Sequence, residues 1–101
     1  MKLELYMFDT CPFCRRVINE INRSGRNDIT FYNIHQDDDA RKRLVEIGGK
    51  QQVPCLFVDG KPMYESGDII KWLNENPQKY FFQNFKSVIT LEILLQLKVL
   101  L

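Results

Sequence analysis

Lys2-Leu3-Glu4-Leu5-Tyr6-Met7-Phe8-Asp9-Thr10-Cys11-Pro12-Phe13-Cys14 is the stretch that decides the fold. As far as Met7, apolar and polar residues alternate with the period of a strand. Beyond Cys11 the period changes. Cys14, Val17, Ile18 and Ile21 fall on one helical face, while Arg15, Arg16, Asn19, Asn22 and Arg23 face away. Pro12 suits the first helical position, where its missing N–H is no loss. Gly25 is a left-handed stop. A strand therefore becomes a helix at Cys11.

Working outward, Ile29–Ile34 reads as a second strand. Asp37-Asp38-Asp39 is an acidic helix start that complements the dipole of Ala40–Ile47. Leu44 and Ile47 are its expected buried face, and Gly48-Gly49 ends it. Gln52–Val58 is a third strand with Pro54 near its start. Asp59-Gly60 is a hairpin turn, returning through a fourth strand, Lys61–Tyr64. Ser66 is the expected N-cap of a short helix carrying Ile69, Ile70, Trp72 and Leu73, which stops before Asn76-Pro77. The order β-α-β-α-β-β-α predicts an α/β fold: a mixed four-stranded sheet with helices on both faces. The first two strands, joined by a helical crossover, are expected to be parallel. The last two form an antiparallel hairpin.

The chain has 101 residues, enough for one domain. A formal net charge of +1 gives no electrostatic reason to expect nucleic acid as a partner. No apolar run reaches 18 residues and no signal segment opens the chain, so a cytoplasmic protein without a membrane partner is expected. Three cysteines, Cys11, Cys14 and Cys55, do not make a secreted disulfide framework. With His35 as the lone histidine, the ligand supply for a structural zinc is also poor. Residues 1–79 are the expected domain. Residues 80–101 form an apolar extension: its leucines favour helix, and its alternation favours strand. In either form it must bury its apolar face on the domain or on another chain, which leaves a homodimer open.

Chemistry concentrates at Cys11-Pro12-Phe13-Cys14. Thiolate is the reactive form of cysteine, and orphan N–H groups at a helix start stabilise the anion. Two spacer residues bring Cys14 within disulfide reach, one turn on. Cys11 is expected to be the more exposed, attacking sulfur and Cys14 the resolving one. Cys55 is read as a small buried strand residue, with a third redox thiol as the alternative. His35 needs no special role, and Asp37-Asp38-Asp39 is a helix start rather than a metal site.

These motifs resemble glutaredoxins. Thr10-Cys11-Pro12-Phe13-Cys14 is similar to their active site, and Val53-Pro54 to the cis-proline bond of the thioredoxin fold. Tyr64-Glu65-Ser66-Gly67-Asp68-Ile69-Ile70 resembles their glutathione-binding turn, in the version shared with glutathione transferases. The resemblance covers Lys2 to Pro77 and implies a thioredoxin-like fold. It also implies glutathione as co-substrate with no resident cofactor, and disulfide-containing or glutathionylated proteins as partners. Phe13, Lys50, Gln52, Val53, Pro54, Glu65, Ser66, Gly67 and Asp68 would form the glutathione site. The γ-glutamyl carboxylate would rest on the N–H groups of Ser66 and Gly67, its ammonium group near Glu65 or Asp68. Val53 would pair with the cysteinyl backbone, and Lys50 or Gln52 with the glycyl carboxylate.

Two departures lean towards the transferase-like branch. Phe8 stands where many glutaredoxins carry a basic residue, and Tyr64-Glu65 stands where many carry Gly-Gly. The runner-up is a glutaredoxin-shaped electron donor served by a thioredoxin reductase; the alternatives of other kinds are a [2Fe–2S] carrier, which Pro12 disfavours, and a binding module with an inert Cys11.

Overall fold

The computed structural model describes residues 1–78. Its elements are β1 (Leu3–Met7), α1 (Pro12–Ser24), β2 (Ile29–Asn33), α2 (Asp38–Gly48), β3 (Cys55–Val58), β4 (Lys61–Met63) and α3 (Ser66–Glu75). The sheet order is β2-β1-β3-β4. β1 is parallel to β2, with Leu5 opposite Phe31, and antiparallel to β3, with Leu5 opposite Leu56. β3 and β4 form the antiparallel hairpin. At its turn both Asp59 (φ 49°) and Gly60 (φ 84°) are left-handed, as a two-residue turn that follows strand twist requires.

Alternation along β1 divides two cores. Leu3, Leu5 and Met7 meet Val17 and Ile21 of α1, Leu56, and Ile69 and Leu73 of α3. On the opposite face Tyr6 meets Cys55, Phe57, and Ala40 and Leu44 of α2. All five residues of β1 are buried, including Glu4 at 7% exposure. The alternation therefore marks two covered faces rather than one wet face, because helices flank the central strand on both sides.

The helices use the expected signals. The Asp37 side chain accepts from the Ala40 N–H at 3.0 Å and caps α2. Gly25 (φ 72°) ends α1. Three expectations are corrected. β3 begins at Cys55 rather than Gln52, after a cis Val53–Pro54 bond that turns the chain. Ile47 is exposed, lining an open cleft beside the sheet instead of the core. Ser66 does not cap α3. Glu65 holds the cap position at φ 68°, without a side-chain capping bond, and Ser66 is already helical. The expectations for residues 80–101 fall outside the described residues. Among the described residues no helix is long and apolar enough to cross a membrane.

Arg26 closes the domain. It is buried and forms a two-bond pair with Asp28, each bond 2.8 Å. It also donates to the Leu73 and Asn76 carbonyls at the end of α3, at 3.2 and 3.1 Å. Gln78 pairs with Asn27 close by. The Arg26 hydrogen bonds hold the Asp28 carboxyl below its ordinary pKa. A depressed carboxylate contributes stability above its unfolded pKa and loses it as pH falls through the folded value. Arg26→Ala should therefore cost roughly 2–4 kcal/mol, lowering Tm by on the order of 10–20 °C. Thermal melts from pH 7 to 3 should show wild type losing this advantage on the acid side, below about pH 4, and the variant a flatter profile.

Candidate active site

Cys11 occupies the N-cap of α1. Its backbone is extended (φ −83°, ψ 115°), and its sulfur accepts the Cys14 N–H at 3.2 Å. This is the bond a serine or threonine oxygen makes at an ordinary cap, from the third helical residue back to the cap side chain. Pro12 at the first helical position has no N–H to satisfy. The loop before the helix is closed by the Cys11 N–H on the Phe8 carbonyl, at 3.3 Å. The Cys11 thiol points to the Val53 carbonyl, 4.0 Å away. The sulfur thus lies between the positive end of a helix and the Val53–Pro54 backbone.

Cys14 follows one turn later and is fully buried, at 0% exposure against 6% for Cys11. The expected order of accessibility holds, although both sulfurs are largely covered. Burial, then hydrogen bonding with Cys11, pushes the Cys14 thiol up to about 12. Cys14 is accordingly a protonated thiol at neutral pH. All three cysteines are reduced. Cys55 lies on the other face of the sheet, in the Tyr6–Phe57 core, and burial pushes its thiol up to about 11. The sheet separates it from the dithiol pair, so it packs as a small core residue and does not reach the Cys11 side.

Beside Cys11 a small cleft of about 140 Å³ is lined by Phe13, Gln52, Val53, Pro54, Glu65 and Ser66. These six come from three separate segments: the start of α1, the loop before β3, and the start of α3. Gly67 has open space where a side chain would be, so the first turn of α3 is approachable. Asp68 lines a different groove with Lys71, Trp72 and Glu75. Lys50 is not in the cleft wall; its ammonium group stands 4.4 Å over the Tyr64 ring. A larger cleft, about 720 Å³, opens beside Glu4, Tyr32, Arg43 and Asp59, whereas the Val53 wall of the smaller one stands 4.0 Å from the Cys11 sulfur. The smaller cleft is the candidate site.

The contacts of two neighbours of the site carry no signal in the sequence. Phe8 stacks on His35, ring centres 4.2 Å apart. Tyr64 donates to the Gly48 carbonyl at 2.9 Å and the Lys50 carbonyl at 3.3 Å. Among the described residues no cluster of three or more His, Cys, Asp or Glu side chains is placed to hold a metal ion.

A capped sulfur with a protonated thiol one turn behind it, on this sheet order, defines a thiol–disulfide exchange protein of thioredoxin-like fold. Residues 3–63 match the glutaredoxin family. A probable glutaredoxin of Synechocystis sp. is 33% identical over 69 residues, covering 67% of this chain and 77% of that protein. The thioredoxin-like protein BC3987 superposes with a TM-score of 0.63 at 23% identity, over 73% of this chain and 97% of its own. Glutathione transferase Omega 3C from Trametes versicolor superposes with a TM-score of 0.62, also at 23% identity, over 74% of this chain. The chain spans only 33% of that transferase's length. The two superpositions speak for the fold alone. The chain belongs to the glutaredoxin family, and it is a thiol–disulfide oxidoreductase with glutathione as its co-substrate.

Iodoacetamide should therefore label the reduced, folded protein once at pH 7, on Cys11. Cys14 and Cys55 should resist until strongly alkaline pH or unfolding. Peptide mass spectrometry reads this directly, and early labelling of Cys14 in the folded state would contradict the assignment.

Proposed function

We propose that Cys11 is the attacking thiolate and Cys14 the resolving thiol in reduction of glutathione mixed disulfides and protein disulfides. The observation that carries this reading is the Cys14 N–H bond to the Cys11 sulfur, which places a donor on the atom that must bear negative charge. Cys11 attacks the glutathione sulfur of a glutathionylated protein; the protein thiolate leaves. A glutathione thiolate then attacks the glutathionyl sulfur on Cys11, releasing glutathione disulfide and restoring the Cys11 thiolate. With a protein disulfide, Cys11 first forms a mixed disulfide. Cys14 loses its proton and attacks the Cys11 sulfur, closing an intramolecular disulfide and freeing the target. Two glutathione molecules reopen it. Each step is an exchange in which one S–S bond forms as another breaks.

Glutathione lies, in this reading, along the cleft of Phe13, Gln52, Val53, Pro54, Glu65 and Ser66. Its γ-glutamyl carboxylate meets the N–H groups of Ser66 and Gly67 at the start of α3. Its cysteinyl backbone pairs with Val53 as an added strand. The positive φ of Glu65 supports this. A non-glycine residue held there costs about 1–3 kcal/mol, a cost usually found at functional sites. Lys50 remains a candidate for the glycyl carboxylate once its side chain leaves the Tyr64 ring. Asp68 is assigned a weaker part, since it lines another groove. We place the protein in the cytoplasm, with residues 1–79 as its domain and the extension 80–101 as a candidate dimer contact.

Reduction of a small glutathione mixed disulfide, coupled to glutathione reductase, tests the reading. Cys11→Ser should lose activity. Cys14→Ser should keep it while losing reduction of protein disulfides. A folded, reduced wild type that is inactive with glutathione but active with thioredoxin reductase would move the electron source to the latter. Glu65→Gly should raise KM for the glutathionylated substrate while Tm holds or rises by up to about 5 °C.

A further inference from the structure

Tyr64 stands in the turn between β4 and α3, outside the glutathione cleft, yet it touches both ends of the loop that forms one wall of that cleft. At the near end its hydroxyl donates to the carbonyls of Gly48 and Lys50. At the far end Tyr64 packs against the buried cluster that holds Cys55. Between these points run Lys50-Gln51-Gln52-Val53-Pro54, in neither helix nor strand. Backbone loop bonds stop at Gly49, whose N–H reaches the Val45 carbonyl at 2.9 Å. Among the described residues no such bond involves Lys50 to Pro54. Main-chain pairing therefore does little to set the course of this segment.

Gly48 shows how closely the phenol is fitted. It is not left-handed, so its backbone does not demand glycine. A Cβ there would stand 2.2 Å from the Tyr64 oxygen and 3.4 Å from the ring carbon that bears it. The adjacent Gly49 is the opposite case: left-handed at φ 82°, with nothing near a Cβ. Gly48 is thus small because Tyr64 fills its space. The ring also lies under the Lys50 ammonium group at 4.4 Å, a cation–π contact that draws the Lys50 side chain back over the brace.

Building on the glutathione reading above, we propose that Tyr64 is the positioning residue of the glutathione site: it braces the Gly48–Cys55 segment so that Gln52 and the Val53 backbone face Cys11 and the ligand. Its hydroxyl acts on the binding wall and not on the sulfur chemistry, because Cys11 is held by its own helix cap. Burial pushes the Tyr64 phenol up to about 12 and the Cys55 thiol up to about 11. Both stay neutral around pH 7, and the brace holds across the working range of the thiols.

Tyr64→Phe keeps the ring beneath Lys50 and removes the donor. In the glutathione-reductase-coupled assay, KM for the glutathionylated substrate should rise about three- to tenfold, the range of one neutral hydrogen bond. kcat and the rate of Cys11 alkylation by iodoacetamide should stay within about twofold of wild type. Gly48→Ala should raise KM in the same way, by pushing the hydroxyl off its carbonyls. The double variant should be no worse than Tyr64→Phe alone, since the clash goes with the oxygen. Amide exchange of Lys50 to Val53 should quicken in Tyr64→Phe. Unchanged KM and exchange in that variant would overturn the proposal, as would additive effects of the two substitutions. Equal losses in kcat and alkylation would also overturn it, marking a general disturbance. An inactive wild type would instead remove the glutathione reading, and with it the role of Tyr64 towards that ligand, even if the loop still loosened.

Discussion

Everything at the reactive end of this molecule depends on a sulfur atom doing the work of a helix cap. The Cys14 N–H is an orphan donor of α1, and the Cys11 sulfur satisfies it. That bond needs an extended Cys11, is accompanied by a proline at the next position, and relies on β1 to deliver the chain to the mouth of the helix. β1 in turn is fixed between β2 and β3 and is buried on both faces. The two cores are therefore also the support of the site: they hold β1, and β1 aims Cys11.

The site itself is assembled from short pieces of three segments, each oriented by a different local device. The sulfur cap orients Cys11 and buries Cys14. The turn before β3 brings Val53 to within reach of the Cys11 thiol. Glu65, at positive φ, leads the chain into α3 and, with Ser66, lines the cleft. No extensive pocket results, which suits chemistry whose substrates are sulfur atoms on the surfaces of other molecules.

Much of this was legible in the sequence, for physical reasons that can be named. Alternation and helical period act over neighbouring residues, so the element order and the strand-to-helix junction at Cys11 could be read directly. Asp59-Gly60 and Gly25 spelled out their left-handed turns. Six of the nine expected glutathione-site residues line one cleft, because they sit on three short segments that meet beside Cys11. Lys50 and Asp68 went elsewhere, since a flexible or outward-facing side chain is placed by its surroundings. The covered Glu4, the uncapped Ser66 and the exposed Ile47 all depend on what lies across the sheet or turn, which local pattern does not encode. Cys55 was nearer to being decidable. Its alternation with Leu56 puts it beside Phe57, on the face away from Cys11. The Tyr64 contacts join residues 14 and 16 positions apart, a separation at which periodicity says nothing.

A cap made of sulfur changes its strength with oxidation state. As a thiolate it is a charged acceptor, and α1 begins on a charge-assisted hydrogen bond. In a disulfide the same atom is a neutral, feeble acceptor, and the first turn loses that support. Helix stability and electron affinity are thereby two readings of one quantity: whatever firms the start of α1 in the dithiol form makes the protein a more willing electron acceptor, at 30 mV for each 1.4 kcal/mol. Substitutions in the first turn of α1 that never touch a substrate are in this sense adjustments of the redox poise.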